Sequence, residues 1–264
     1  MAIQEVGSGD TRQKPIKLGG ALITLVEPHP GHEVEYNRWY ERDHFYAGCM
    51  IGAWTISGTR YVATKRHKEA RFPMDSSFVA DPSKGSYVAI YWVLGGKFGE
   101  WMKWGTDQVN WLHANDRMFE HRDHISTAMY KFAAESHADA DGVPVELACD
   151  RGYPGLVMLV AEPPAGQGAQ WLLDWVADHS PAPGDQIAAF TPVPLLANAP
   201  KDVPLTAETE RVAMLAFDES DPLDHWDGYV AFADALTAEG GRVVFAAPFV
   251  KTVPGTDTYT DQLW

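Results

Sequence analysis

The feature that most constrains this chain is an internal repeat. Residues 20–28 read GALITLVEP and residues 155–163 read GLVMLVAEP. Both are apolar runs that open on Gly and close on Glu-Pro, and 155 − 20 gives an offset of 135. The same offset carries Tyr40 onto Trp175 and Asp43-His44 onto Asp178-His179, without a gap. Such self-similarity means that one supersecondary unit occurs twice.

The order of elements repeats as well. Apolar and β-branched runs predict strands over 20–27, 51–64, 86–94 and 124–133, with helices over 33–47 and 98–118. The second half predicts strands over 155–162, 185–196, 210–217 and 242–251, with helices over 168–179 and 222–239. A polar loop holding Pro73, Asp75, Asp81, Pro82 and Gly85 separates two strands of the first half, and a proline-rich loop, 197–208, does so in the second. Each half therefore reads β-α-β-β-α-β, the ferredoxin-like split unit. The expected organisation is a flexible arm (1–17), a first repeat (18–134), an acidic linker (135–152), and a second repeat with a tail (153–264).

The first strand places Ala21, Ile23 and Leu25 on one face and Leu22, Thr24 and Val26 on the other. Both faces are largely apolar, so both must be covered. Helices cover one. The sheet of the other repeat is the simplest cover for the second, which makes an α+β barrel within one polypeptide.

Composition narrows the function. The net charge is −15, from 21 Lys and Arg against 36 Asp and Glu. That repels nucleic acid and anionic membranes, whose phosphates need clustered cations. No run of about eighteen apolar residues predicts a membrane span. The N-terminal stretch MAIQEVGSGDTRQKPIK lacks an apolar signal core. Two cysteines, Cys49 and Cys149, make no disulfide framework, so a reducing cytoplasm is expected. Sequences for nucleotide-binding loops and for a nucleophile elbow do not occur. The pair His121 and His124, with Glu120 and Asp123, matches no metal-ligand pattern, and no metal is expected.

With Tyr36-Asn37-Arg38-Trp39-Tyr40 and His44 on its first helix, the duplicated unit resembles the dimeric α+β barrel superfamily, in particular its EthD-like and polyketide-cyclase-like branches. Those families continue His-Leu-Pro. Here His44 is followed by Phe45-Tyr46, and His179 by Ser180-Pro181. The resemblance implies small-molecule chemistry in a cavity between sheet and helices, and is compatible with pairing of two chains into a homodimer. Chlorite-dismutase-like and aldoxime-dehydratase-like haem proteins also use a duplicated unit. They set haem as an alternative, with His179 or His225 as the proximal ligand.

At about 100° per residue, Tyr36, Trp39, Tyr40, Asp43 and His44 share one broad helix face, with Arg38, Glu41 and Arg42 opposite. Two phenols, an indole, a carboxylate and an imidazole on the inward face predict a helix that borders a cavity. His44 has the ordinary pKa of a general acid or base. Tyr36 and Tyr40 are hydrogen-bond donors for a carbonyl or enolate, and Asp43 completes the catalytic set. Arg60 is the expected anchor for a ligand carboxylate or phenolate, its structural alternative being an ion pair with Asp43 or Glu27. Trp39, Trp54, Trp92 and Trp104 are the expected apolar walls, and His113 is expected to face outward. The first helix of the second half has an ordinary apolar face, so the first half is the expected site. The expectation is an enzyme without an organic cofactor that acts on a small aromatic or polyketide-like molecule by acid/base chemistry, as a lyase, isomerase or cyclase. A cofactor-independent oxygenase and a non-catalytic binding protein are the other readings.

Overall fold

The computed structural model describes residues 16–139, 141–179, 183–203 and 210–264. The expected arm lies outside them up to residue 15, as do Ser180-Pro181 and part of the second-half loop. The elements are β1 (Leu18–Pro28), α1 (Glu33–Trp39) running into a π-helix (Tyr40–Met50), β2 (Thr55–Val62), a short α2 (Lys65–Glu69), β3 (Tyr87–Leu94), α3 (Phe98–Ala114) and β4 (Arg122–His137). There follow α4 (Ala148–Arg151), β5 (Gly155–Glu162), α5 (Ala169–Asp178), β6 (Gln186–Val193), β7 (Val212–Asp218), α6 (Trp226–Ala238) and β8 (Arg242–Lys251).

All eight strands form one closed antiparallel barrel in the order β1-β3-β2-β8-β5-β7-β6-β4. The first half alone has the order β4-β1-β3-β2 and the second β8-β5-β7-β6, so the two halves repeat the same arrangement. The joints between them are unequal. β4 pairs with β6 from Met129↔Val193 to His137↔Gln186, whereas β2 meets β8 only at Tyr61↔Lys251 and Val62↔Val250.

The two-faced strand pattern is realised. Ala21, Ile23 and Leu25 point into the barrel, where they join Trp92, Tyr130, Leu156, Met158 and Phe190 in a core shared by both halves. The opposite faces pack under helices in two further clusters, one per half. Strands buried on both faces in this way read as nearly continuous apolar runs.

Three local expectations change. The strand expected from residue 51 begins at Thr55, because the chain turns first and Trp54 sits there at φ 75°. α2 was not anticipated. The expected linker is ordered where it is described: β4 runs on to His137, and Val145, Ala148 and Cys149 are buried in the barrel core. Trp92 Nε1 donates to the Val145 carbonyl at 3.0 Å, and Ser57 Oγ donates to Asp150 at 2.6 Å. An open barrel end exposes apolar side chains, so this segment serves as its stopper.

The repeated glycines have a steric cause. A Cβ on Gly20 would lie 2.3 Å from the Tyr130 carbonyl oxygen, and one on Gly155 would lie 2.1 Å from that of Ser220. Gly20→Ala and Gly155→Ala are each expected to destabilise the fold by about 1–3 kcal/mol, the usual cost of overpacking. Urea unfolding of the two variants against the parent checks this.

Candidate functional site

Between the outer face of β1, β3 and β4 and the helices of the first half lies a cavity of about 90 Å³. Its floor includes Leu22, Thr24 and Tyr91, and one wall is Tyr40, His44 and Cys49. The opposite wall is the face of α3 bearing Trp101, Met102, Gly105 and Val109. Its roof comes from the other half of the chain: Leu195, Pro200 and Asp202 in the segment after β6. Asn110 Nδ2 ties that segment to α3 through the Asn198 carbonyl at 2.9 Å.

His44 is placed by the π-helix. The Ile51 amide donates to the Tyr46 carbonyl at 3.1 Å, an i→i+5 bond that marks the wide turn. The imidazole stacks on Trp39 at 4.5 Å, stands edge-on to Tyr40 at 5.2 Å and lies over Gly48, where a Cβ would come within 3.0 Å of the ring. Its Nδ1 is buried without a hydrogen-bond partner. Burial, with the positive charge of Arg122 and other basic neighbours, pushes its pKa down to about 3, so the ring is neutral near pH 7.

The Tyr40 and Tyr91 hydroxyls are 2.8 Å apart. Burial raises Tyr40 to about 12 and Tyr91 well above the ordinary phenol, so both keep their protons. One hydroxyl donates to the other, with Thr24 in hydrogen-bond reach of Tyr40 and Cys49 in reach of Tyr91.

A basic cluster closes the mouth. Arg122 Nη2 donates to Asp202 at 3.1 Å, His113 Nε2 lies 3.4 Å from Asp202 and His124 Nε2 lies 3.8 Å from it. The Thr127 hydroxyl is 2.8 Å from His124 Nδ1. Burial and the charge on Arg122 lower His124 to about 4.

The expected residues divide. His44 and Tyr40 line the cavity, and Trp39 backs His44. Tyr36 is buried behind the cavity wall against Tyr87, Tyr40 and Trp39. Asp43 faces the surface and pairs with Arg117, while Glu41, expected outside, turns inward to Arg60 at 3.5 Å. A π-helix rotates less per residue than an α-helix, so the 100° reading fails after Tyr40. Arg60 is buried outside the cavity. It lies over the Tyr40 ring at 4.2 Å and donates to Asn37 at 3.2 Å, and neither Asp43 nor Glu27 is its partner. Trp92 points into the barrel, on the face of β3 opposite the cavity. Trp54 sits in the turn before β2 under Lys97, and Trp104 packs against Gly52 on the neighbouring face of α3. Neither lines the cavity. His113 is exposed, yet it stands at the cavity mouth.

Tyr91, Arg122 and Asp202 went unrecognised in the sequence, and His124 was weighed there only as a metal ligand. Tyr91 was accessible: strand parity on β3 puts it opposite Trp92, and it pairs in register with Leu22. Nothing local marks Asp202, which is brought to the mouth by the fold.

Haem does not fit the residues proposed for it. His179 stacks on Trp175 and pairs with Glu239 at 3.2 Å, and His225 pairs with Asp218 at 3.1 Å. Leu172, Trp175, Val176 and Phe232 fill the helix-covered side of the second half. Among the described residues no three His, Cys, Asp or Glu side chains gather as metal ligands, and no helix is long and apolar enough to cross a membrane.

These features define an eight-stranded α+β barrel with one polar-floored cavity on its first half. No protein-family model matches the sequence, and no curated protein matches it either. Among solved structures, the chain is similar to a proposed chlorite dismutase, TA0507, with TM-score 0.53 and 8% identity over 94% of this chain and 100% of that one. An anthrone oxidase-like protein gives TM-score 0.44 at 11% identity, over 92% of this chain and 98% of that one. A proposed monooxygenase from Fusobacterium nucleatum gives 0.47 at 8%, over 90% and 94%. The first of these supports the barrel fold. At such identities none speaks for a shared reaction.

The depressed histidines set a pH dependence. Unfolded imidazoles take up protons near pH 6.5, whereas folded His44 and His124 refuse them until about 3 and 4. The unfolded state binds more protons between those values, so the stability these two contribute is present above pH 6.5 and is lost as pH falls toward 4. Urea unfolding at pH 7 and pH 5 is expected to show the loss, and His44→Gln with His124→Gln is expected to shrink it.

Proposed function

We propose that this chain is a cofactor-independent enzyme that moves a proton on a small aromatic or polyketide-like molecule, as a lyase, isomerase or cyclase. The observation that carries the reading is a neutral, buried imidazole with an unpartnered nitrogen beside a protonated tyrosine pair in an apolar cavity. An unsatisfied buried polar atom costs about 1–3 kcal/mol, and at His44 that cost is borne by a ring that lines the cavity.

The roles follow from the chemistry. The ligand carbonyl oxygen accepts a hydrogen bond from the Tyr40–Tyr91 pair. His44 takes the proton from the adjacent carbon, and the C–H electron pair becomes an enolate whose oxygen the tyrosines hold. A pKa of about 3 makes His44 a weak base while the cavity is neutral. A developing enolate nearby raises it, because an opposite charge favours the imidazolium. Base strength thus appears with the charge it creates, and the proton returns at another carbon or on a leaving group. Arg60 and Trp39 act as positioning residues, the first behind Tyr40 and the second behind His44.

The repeated strand order supports tandem duplication as the origin of the chain. The Tyr36-to-His44 segment supports placement near the EthD-like branch.

Deuterium exchange from solvent into aryl ketones and phenolic polyketide-like probes tests the reading. Once a turned-over probe is found, His44→Gln is expected to slow it by about 10²-fold or more, and Tyr91→Phe by about 10²-fold, with the fold intact by circular dichroism. Unchanged rates in His44→Gln remove it from the mechanism. Tight binding without exchange by any probe favours a binding protein instead.

A further inference from the structure

The mouth of the cavity holds a carboxylate that belongs to the roof. Among the described lining residues, Asp202 is the sole acid, and it faces Arg122, His113 and His124, with His44 deeper in. This is an unusual gathering for a chain of net charge −15. Arg122 is held for the task. Its side chain is 6% exposed, its guanidinium lies over the Trp39 ring at 5.4 Å, and its Nη1 donates to the Phe119 carbonyl. Asp202 is 39% exposed and sits on a connecting segment rather than on a strand or helix. A fixed, desolvated guanidinium therefore meets a carboxylate on the more adaptable partner.

The cavity is also too tight as it stands. Its 90 Å³ takes roughly six to nine waters at 10–15 Å³ each. A flat apolar molecule needs the roof to move, and the roof is latched at Asp202.

We propose that Asp202 is a built-in stand-in for a ligand carboxylate: the site takes a small aromatic carboxylate, which displaces Asp202 from Arg122, His113 and His124 while its ring enters between Leu22 and Trp101. A carboxylate rather than a neutral head is favoured because removing Asp202 without a replacement leaves Arg122 buried and uncompensated, a costly state. The groups facing the exchange are Arg122, His113, His124 and His44 from the walls, with Asp123 next along β4 as the nearby acid. This inference rests on the same cavity as the proposed reaction and names the charge of its substrate, but it is read by binding alone.

Calorimetric titration of the full chain with benzoate and with its neutral isostere benzamide is the test. Benzoate is expected to bind at least tenfold more tightly than benzamide. In Asp202→Asn the internal competitor is gone, so benzoate affinity is expected to rise about tenfold with benzamide little changed. Arg122→Gln is expected to abolish the preference. Equal binding of the two probes by the parent, or benzoate affinity in Asp202→Asn that is unchanged or lower, overturns the proposal. Asp202→Asn, altering a half-exposed side chain, keeps the test valid even where Arg122→Gln fails to fold. The expected binding together with an unaffected turnover in His44→Gln would sink the acid/base reading alone. Failed binding with a slowed His44→Gln would sink this one alone.

Discussion

The long ladder between β4 and β6 joins two half-barrels, each of which would otherwise expose an apolar sheet face. Closure buries that face completely and fills the interior with large side chains such as Trp92, Tyr130, Phe190 and Phe217. A small cavity of about 70 Å³ remains among Ala128, Tyr130, Val160 and Ala213 of the interior. The cavity beside His44 lies on the outside, under the helices, and the two halves differ there. The second half packs Leu172, Trp175 and Phe232 against its sheet. The first half offers hydroxyls and imidazoles at the corresponding level.

The π-helix makes that difference usable. Its wide turns lay His44 flat over Gly48 and against Trp39, so a polar ring borders the cavity edge-on to Tyr40. Desolvation then does the electrostatic work. It keeps the tyrosines protonated and the histidine neutral, which suits a site that binds a polar ligand before charge develops. The roof from the second half supplies the acid that balances Arg122. The site is thus incomplete in either half alone, although all but one of its polar groups come from the first.

The fold was legible because strand period is robust. Ala21, Ile23 and Leu25 declared one face and Leu22, Thr24 and Val26 the other, and β5 and β8 have the bounds that their apolar runs suggested. The helix was less legible. An angular reading at fixed pitch holds through Tyr40 and then fails, sending Asp43 to Arg117 at the surface and bringing Glu41 inward to Arg60. The tryptophans misled for a different reason. Large apolar rings suit a core as well as a ligand wall, and in β3 a shift of one residue exchanges the faces, so that Tyr91 rather than Trp92 meets the cavity.

By itself the sequence determined the repeated strand order, the two-faced strands and so the barrel, and it pointed to His44 and Tyr40, which line a cavity, because local periodicity and composition carry that information. The tertiary structure alone decided which aromatic residues line the cavity, that the acidic linker stops the barrel, and that Asp202 stands against Arg122 across 80 residues of chain. Those outcomes depend on helix pitch, on the closing register and on long-range approach, none of which a local pattern encodes.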